Sequence, residues 1–152
     1  MENKKIIEGI KTLIQVNNDR IRGYETAMNE SNEADLKSNF FRFIQSSRRI
    51  KSQLVQVLIK SGGSPVQENK LTGFNGMLMN LKAAIRRRDR LSIFSYWEKV
   101  EDLVAEMYER ILQNECCDLS ADHAGLIGSQ RSVLEADRHK VKSFREVLAE
   151  EV

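Results

Sequence analysis

The feature that most limits how this chain can fold is the spacing of its apolar residues. They recur at steps of three and four along almost the whole length and nowhere alternate as in a strand. Such spacing builds helices that each carry one apolar stripe. A first helix uses Ile6, Ile10, Leu13, Ile14, Ile21, Tyr24 and Met28, and fades at Asn29-Glu30-Ser31-Asn32, where Asn and Ser compete for the backbone. A second carries Leu36, Phe40, Phe43, Ile44, Ile50, Leu54, Val57 and Leu58 and is stopped by Gly62-Gly63-Ser64-Pro65. A shorter piece follows (Leu71, Phe74, Leu78, Leu81, Ile85), ending at Arg86-Arg87-Arg88-Asp89. Ile93, Trp97, Val100, Val104, Met107, Tyr108 and Ile111 mark a third long helix, which runs out between Asn114 and Cys117. Asp118 or Ser120 caps a last one carrying Leu126, Ile127, Leu134, Val141, Phe144 and Leu148.

Four long helices of roughly 25 residues, each roughly 35–40 Å long, are therefore expected. Short links join one to two and three to four, which makes each pair antiparallel. The link between the pairs holds the short helix. The expected fold is all-α: a ferritin-like up-down-down-up four-helix bundle with one long crossover, a single domain over residues 1–152.

Composition narrows the class. Hydrophobic residues make up 41% and charged residues 30%, which excludes disordered and collagen-like chains. No apolar run approaches the ~20 residues a membrane helix needs, and Met1 to Gln15 lacks the apolar centre of a signal peptide. The two cysteines, Cys116 and Cys117, are adjacent, so no disulfide framework can form and a reducing, cytoplasmic setting is expected. A net charge of +2 is no argument for nucleic acid. It is unevenly spread: residues 1–62 hold 11 basic and 7 acidic groups, and residues 91–152 hold 7 and 13. Attraction between the two halves of one bundle explains that split most simply; a bipolar surface that docks an acidic partner or stacks on its own copy is the other explanation.

The chain resembles a known group. Asn18-Asp19, Gly23-Tyr24 and Ala27 look like its "D, then GY, then A" signature. The stop at Gly62-Gly63-Ser64-Pro65 is similar, and Leu81-Lys82-Ala83-Ala84-Ile85, Glu101-Asp102, Tyr108 and His139 continue the likeness in order. The group is a bacterial ferritin-like family of four-helix-bundle proteins of unknown function. The resemblance runs over roughly residues 10–148. It implies the ferritin-like fold and supplies no activity.

Ferritin-like di-iron proteins need a Glu from each of two helices and a Glu-x-x-His from each of the other two. Between Asp35 and Glu68, the whole second helix, there is no Asp, Glu or His; Ser46-Ser47-Arg48-Arg49-Ile50 stands where ligands would. In helix one, Ile21 falls on the expected core face, with Asp19 and Glu25 on its flanks. Helix three keeps Glu98 and Glu101, and helix four has Glu135 and His139 at i, i+4, with Asp137 nearest the inward stripe. No intact di-metal centre and no cofactor are expected. The alternative is a reduced, asymmetric iron or manganese site on Glu98, Glu101, Glu135 and His139. For Glu101 a buried polar role with an arginine partner is preferred, and for His139 a solvated one.

Other chemistries find less support. Gly73 and Gly76 are isolated and make no phosphate loop. Arg86, Arg87, Arg88 and Arg90 crowd a helix C-terminus, where they complement the helix dipole. With Arg48 and Arg49 they form the candidate anion or partner surface, but aromatics for stacking are missing and nucleic acid is not expected. Phe40, Phe41, Phe43, Tyr96 and Trp97 exceed what one inward stripe holds. The crossover is expected to cover most of the excess, and a homodimer or an unidentified protein partner the rest. The chain is thus expected to be a non-catalytic interaction or structural module.

Overall fold

The computed structural model describes residues 2–64, 75–114 and 120–151. Every regular element among them is an α-helix: α1 Glu2–Glu30, α2 Ala34–Lys60, α3 Asn75–Arg86, α4 Arg90–Asn114 and α5 Ala121–Glu151. No described helix is long and apolar enough to cross a membrane.

The helix ends follow local chemistry. At the end of α2, Gly62 takes φ +85°, the left-handed region that suits glycine, and Gly63 N–H returns to Leu58 C=O at 2.9 Å. At the end of α3 the left-handed position falls on Arg88 (φ 57°), an uncommon choice for a side chain with a Cβ. Asp89 then caps α4, accepting from Ser92 N–H at 3.3 Å and Ser92 O–H at 2.7 Å. Ser120 caps α5 by accepting from His123 N–H at 3.1 Å. Leu71, Phe74, Pro65, Cys116, Cys117 and Asp118 lie outside the described residues.

The four long helices surround one apolar cluster, with α1 against α2 and α4 against α5. Side-chain pairs set their directions. Arg20 meets Glu101 and Asn17 meets Tyr108, so α1 and α4 run antiparallel. Arg90, which opens α4, holds Glu33 and Asp35 at the opening of α2. Helices α2 and α4 therefore start at the same end, and the chain must travel back between them.

Helix α3 lies against α1 and α4, with Leu81, Ala84 and Ile85 buried. Gly23 of α1 permits the approach: a Cβ there would sit 2.3 Å from Leu78 Cδ2. The surplus aromatics are placed differently from expectation. Phe40 and Phe43 are not beneath the crossover helix; they are fully buried among the long helices, with Trp97 and Tyr24. Phe40 stacks on Trp97 at 4.0 Å between ring centroids, and Phe43 meets Trp97 edge-on at 5.0 Å. Such pairs add roughly 0.5–1.5 kcal/mol each beyond the area they bury. Steps of three on α2 put both rings inward, while Phe41 turns out and is 49% exposed. Tyr96 stays half-buried beneath Lys99, whose Nζ lies 5.2 Å from the ring centroid.

Candidate functional site

The inward positions of α1 step by four, three, four and three: Leu13, Asn17, Arg20, Tyr24, Ala27, all buried. Helix phase alone thus carries an amide and a guanidinium into the interior. Ile21, expected on the core face, is only half-buried at its edge, and Asp19, expected on the flank, is buried. Ile6, Ile10, Leu13, Ile14 and Tyr24 of the expected stripe are buried, so the departure is confined to one turn, where Asn17 and Arg20 take the inward positions.

Arg20 has no exposed surface, yet each of its five N–H groups has an acceptor. Nε donates to Glu101 Oε2 at 2.9 Å and Nη2 to Glu101 Oε1 at 2.7 Å, a bidentate pair. Nη2 also reaches Asp137 Oδ2 at 3.0 Å, and Nη1 donates to Phe43 C=O at 3.1 Å and Ser47 Oγ at 2.8 Å. Tyr24 O–H donates to Glu101 Oε2 at 2.5 Å.

A second arm leads away from Ser47. Its hydroxyl donates to Asn17 Oδ1 at 2.9 Å, and Asn17 Nδ2 donates to Leu13 C=O at 2.8 Å and Tyr108 Oη at 3.1 Å. Tyr108 O–H donates to Gln130 Oε1 at 3.0 Å, whose Nε2 donates to Gln53 Oε1 at 3.1 Å. The polar layer therefore takes side chains from all four long helices. A network closed in this way rigidifies a core, whereas a half-satisfied one would weaken it.

Electrostatics follow from the geometry. Burial works against the charge on Arg20, but the Glu101 carboxylate, with Tyr24 and Asp137, outweighs it and raises the guanidinium's pKa. Burial, then the negative charge of Glu101, holds the Tyr24 phenol neutral well above its usual range. Burial also raises Tyr108, against the hydrogen bond from Asn17 and the charge of Arg20.

Does this layer fit the metal that a ferritin-like fold implies? Two carboxylates, Glu101 and Asp137, do face inward, but the Arg20 cation lies between them and binds both. The buried polar side chains of α1 and α2 are Asn17, Asn18, Asp19, Arg20 and Ser47, and of these Asn17, Arg20 and Ser47 bond within the layer. No group of three or more His, Cys, Asp or Glu with metal-holding geometry occurs among the described residues. The residues do not fit a di-metal centre.

The other three candidate ligands are elsewhere. Glu98 pairs with Arg145, Glu135 is exposed beside Arg138 at 3.2 Å, and His139 is exposed. Of the set, the structure places only Glu101 in the centre. The arginines proposed as an anion surface do not converge either. Arg48 holds Glu25 at 2.6 Å, Arg86 holds Glu30 at 3.2 Å, and Arg90 holds Glu33 and Asp35 at 2.7 Å. Arg49, Arg87 and Arg88 are exposed. The ion pairs that join the α1–α2 hairpin to the α4–α5 hairpin are those of Arg20 and Arg90, among the described residues. Attraction between the halves is thus concentrated at two points.

Sequence reasoning missed Arg20, Asn17 and Gln130. The signal was Asn17-Asn18-Asp19-Arg20, four polar residues across a full turn of an apolar-striped helix. One turn cannot keep all four residues in water when its helix has neighbours on two sides.

Several residues that carry the family resemblance belong to this layer or its supports: Tyr24, Glu101 and Tyr108 bond within it, and Gly23 admits α3. His139, by contrast, is exposed on α5. Comparison with curated proteins returned no match, and neither did comparison with solved structures. A family model does match, from the first turns of α1 to the end of α4, and stops short of the residue 148 that the resemblance reached. Over residues 5–114 the match is to "Domain of unknown function (DUF2383)", and the chain belongs to that family.

Proposed function

We propose that this protein is a ferritin-like four-helix bundle, one domain over residues 1–152, in which an arginine-centred ion network takes the place of a di-metal centre. Its role is then that of a non-catalytic interaction or structural module. The observation that carries the proposal is Arg20: a fully buried cation with all five donors used and both Glu101 and Asp137 engaged. A site so filled offers an incoming metal no open ligand position, and an incoming substrate no unpaired acid or base. The parallel course of α2 and α4, joined by the segment that holds α3, supports the ferritin-like wiring. Exposed Phe41 and Ile59 on α2 support a protein partner, and we take a second copy of the chain as the first to test. The cytoplasmic setting rests on the adjacent cysteines.

The test is metal content by plasma mass spectrometry on tag-free protein grown with added iron and manganese, with sedimentation velocity on the same sample. The expected result is a trace of metal, far below one ion per chain. One or two tightly held equivalents of iron or manganese would overturn the proposal and favour a reduced site built on Glu101.

A further inference from the structure

The two hairpins meet along two seams, α1 beside α4 and α2 beside α5, and the seams are finished differently. Helix α3 lies over the first, against both α1 and α4. It packs against neither α2 nor α5, and no described helix covers the second seam. Along that seam Gln130 Nε2 donates to Gln53 Oε1, and further on Asn39 of α2 shares a groove with Phe144 of α5. The two helices therefore run antiparallel, and the stretch from Asn39 to Gln53 is roughly 21 Å long. The groove, of about 330 Å³, is walled by Phe94, Phe144, Val147 and Leu148, and the paired Asp35 and Arg90 close its end.

The two lips of the seam differ in chemistry. Steps of three and four from Asn39 give Arg42, Ser46, Arg49 and Gln53, one line along the α5 side of α2. The same steps from Gln130 give Val133, Asp137, Lys140, Phe144 and Val147 along the α2 side of α5. Arg42 and Arg49 are exposed, Lys140 is half-buried, and none of the three has an ion pair among the described residues. The nearby acids are already engaged, Asp137 by Arg20 and Asp35 by Arg90. Val133 and Val147 are exposed. One lip thus offers unpaired cations and the other apolar surface.

Helix α3 shows what such a seam accepts. It is a 12-residue amphipathic helix that buries Leu81, Ala84 and Ile85 and pairs Lys82 and Arg86 with Glu30. On the second seam the cations belong to the bundle, so a covering helix must bring the acids. A second copy applied through a twofold axis would lay Arg42, Arg49 and Lys140 against their own images or against one another.

We propose that the α2–α5 seam docks an acidic amphipathic helix of a partner protein, with its apolar stripe on Val133 and Val147 and its carboxylates on Arg42, Arg49 and Lys140. The inference rests on the reading of this protein as an interaction module and adds the chemistry of the partner. Phe41 lies seven residues before Arg48, which pairs with Glu25 of α1, and so falls on the α1 side of α2, outside the seam.

The test is an NMR titration of the ¹⁵N-labelled full chain with two synthetic peptides of three heptads each. Both carry Leu at the first and fourth positions of the heptad; the fifth and seventh are Glu in one peptide and Lys in the other, and the rest are Ala. Saturable movement of the Ser46, Arg49 and Val133 backbone signals with the Glu peptide is expected, while Met79 on α3 stays still. Arg42→Gln and Lys140→Gln should each weaken binding about three-fold, and Phe41→Ser should leave it unchanged. Arg42→Glu combined with Arg49→Glu should lose the Glu peptide and gain the Lys peptide. Absence of saturable movement with the Glu peptide overturns the proposal. So does equal binding of the Lys peptide by the parent, or equal movement with phosphatidylglycerol vesicles, which would report a charged surface and not a seat for a helix. Movement of the same signals when the chain alone is concentrated assigns the seam to a second copy and also overturns it. None of these outcomes alters the metal content, so this inference and the metal-free reading fail on separate measurements.

Discussion

Arg20 and Arg90 are assembled from the same parts. Each is an arginine that joins the two hairpins by holding two carboxylates, Arg20 at 2.7 and 3.0 Å and Arg90 at 2.7 Å to both. The Arg20 side chain has no exposed surface, whereas 34% of the Arg90 side chain is open to solvent. Distance therefore does not separate the two sites; surroundings do. If Arg90 is removed, Glu33 and Asp35 pass to water. If Arg20 is removed, the Glu101 carboxyl is stranded in a place water does not reach, with only Tyr24 to support it.

The comparison breaks most visibly at Arg20. Arg20→Met should cost about 3–5 kcal/mol, the usual loss when one partner of a buried pair is taken away, measured by urea unfolding at neutral pH. Adding Glu101→Gln to that variant should return part of the loss, because the stranded carboxyl goes while Tyr24 keeps an acceptor. A cost below about 1 kcal/mol for Arg20→Met would put it in the class of exposed pairs and end the distinction.

A smaller effect tests whether the second arm of the layer shares the buried character. Tyr108→Phe should cost about 1–2 kcal/mol, since Gln130 Oε1 loses its donor and Asn17 one acceptor. The sign of the pH dependence follows from the raised phenols. Unfolded tyrosines ionise near pH 10, while folded Tyr24 and Tyr108 stay neutral beyond it. Their contribution to stability is complete below that pH and is lost as pH rises above it. Thermal melts across the alkaline range should show the parent falling, and Tyr108→Phe falling less steeply.

Arg90→Gln should have the smallest effect, no more than about 1 kcal/mol, and should vanish in molar salt. The hydrogen bond from Arg90 holds the Asp35 carboxyl below its usual range. That contribution is present above the unfolded carboxylate pKa and is lost as pH falls through the lower folded value. A mildly acidic melt series should therefore separate parent from variant, and the difference should close at strong acid.

Helix placement was largely legible in the sequence, for reasons visible in Leu36, Phe40, Phe43, Ile44 and Ile50: steps of three and four commit a face to the core whatever it packs against. The inward course of Glu101 and Asp137 was legible on the same ground. Arg20 was not, because hydropathy assigns an arginine to water and the neighbouring Ile21 offered a plausible apolar substitute. The aromatic layer was misplaced for a different reason. Periodicity shows that Phe40 and Phe43 share a face, but how many rings one core can hold depends on facing helices, here through the Phe40–Trp97 stack.

The polar centre also bears on the order in which the molecule comes together. Arg20 finds its acceptors 23, 27, 81 and 117 residues further along the chain. Because the entropy of closing a loop grows only logarithmically, the longest of these costs roughly 1.4 kcal/mol more than the shortest, a modest equilibrium difference. Time is affected more, since contacts between distant segments slow folding. During synthesis, Arg20 can meet Phe43 and Ser47 as soon as the first hairpin exists, and Glu101 only after α4 has been made. Asp137 comes from α5, beyond the residues matched to the family, so the last of the acceptors of Arg20 is supplied only once α5 has been made.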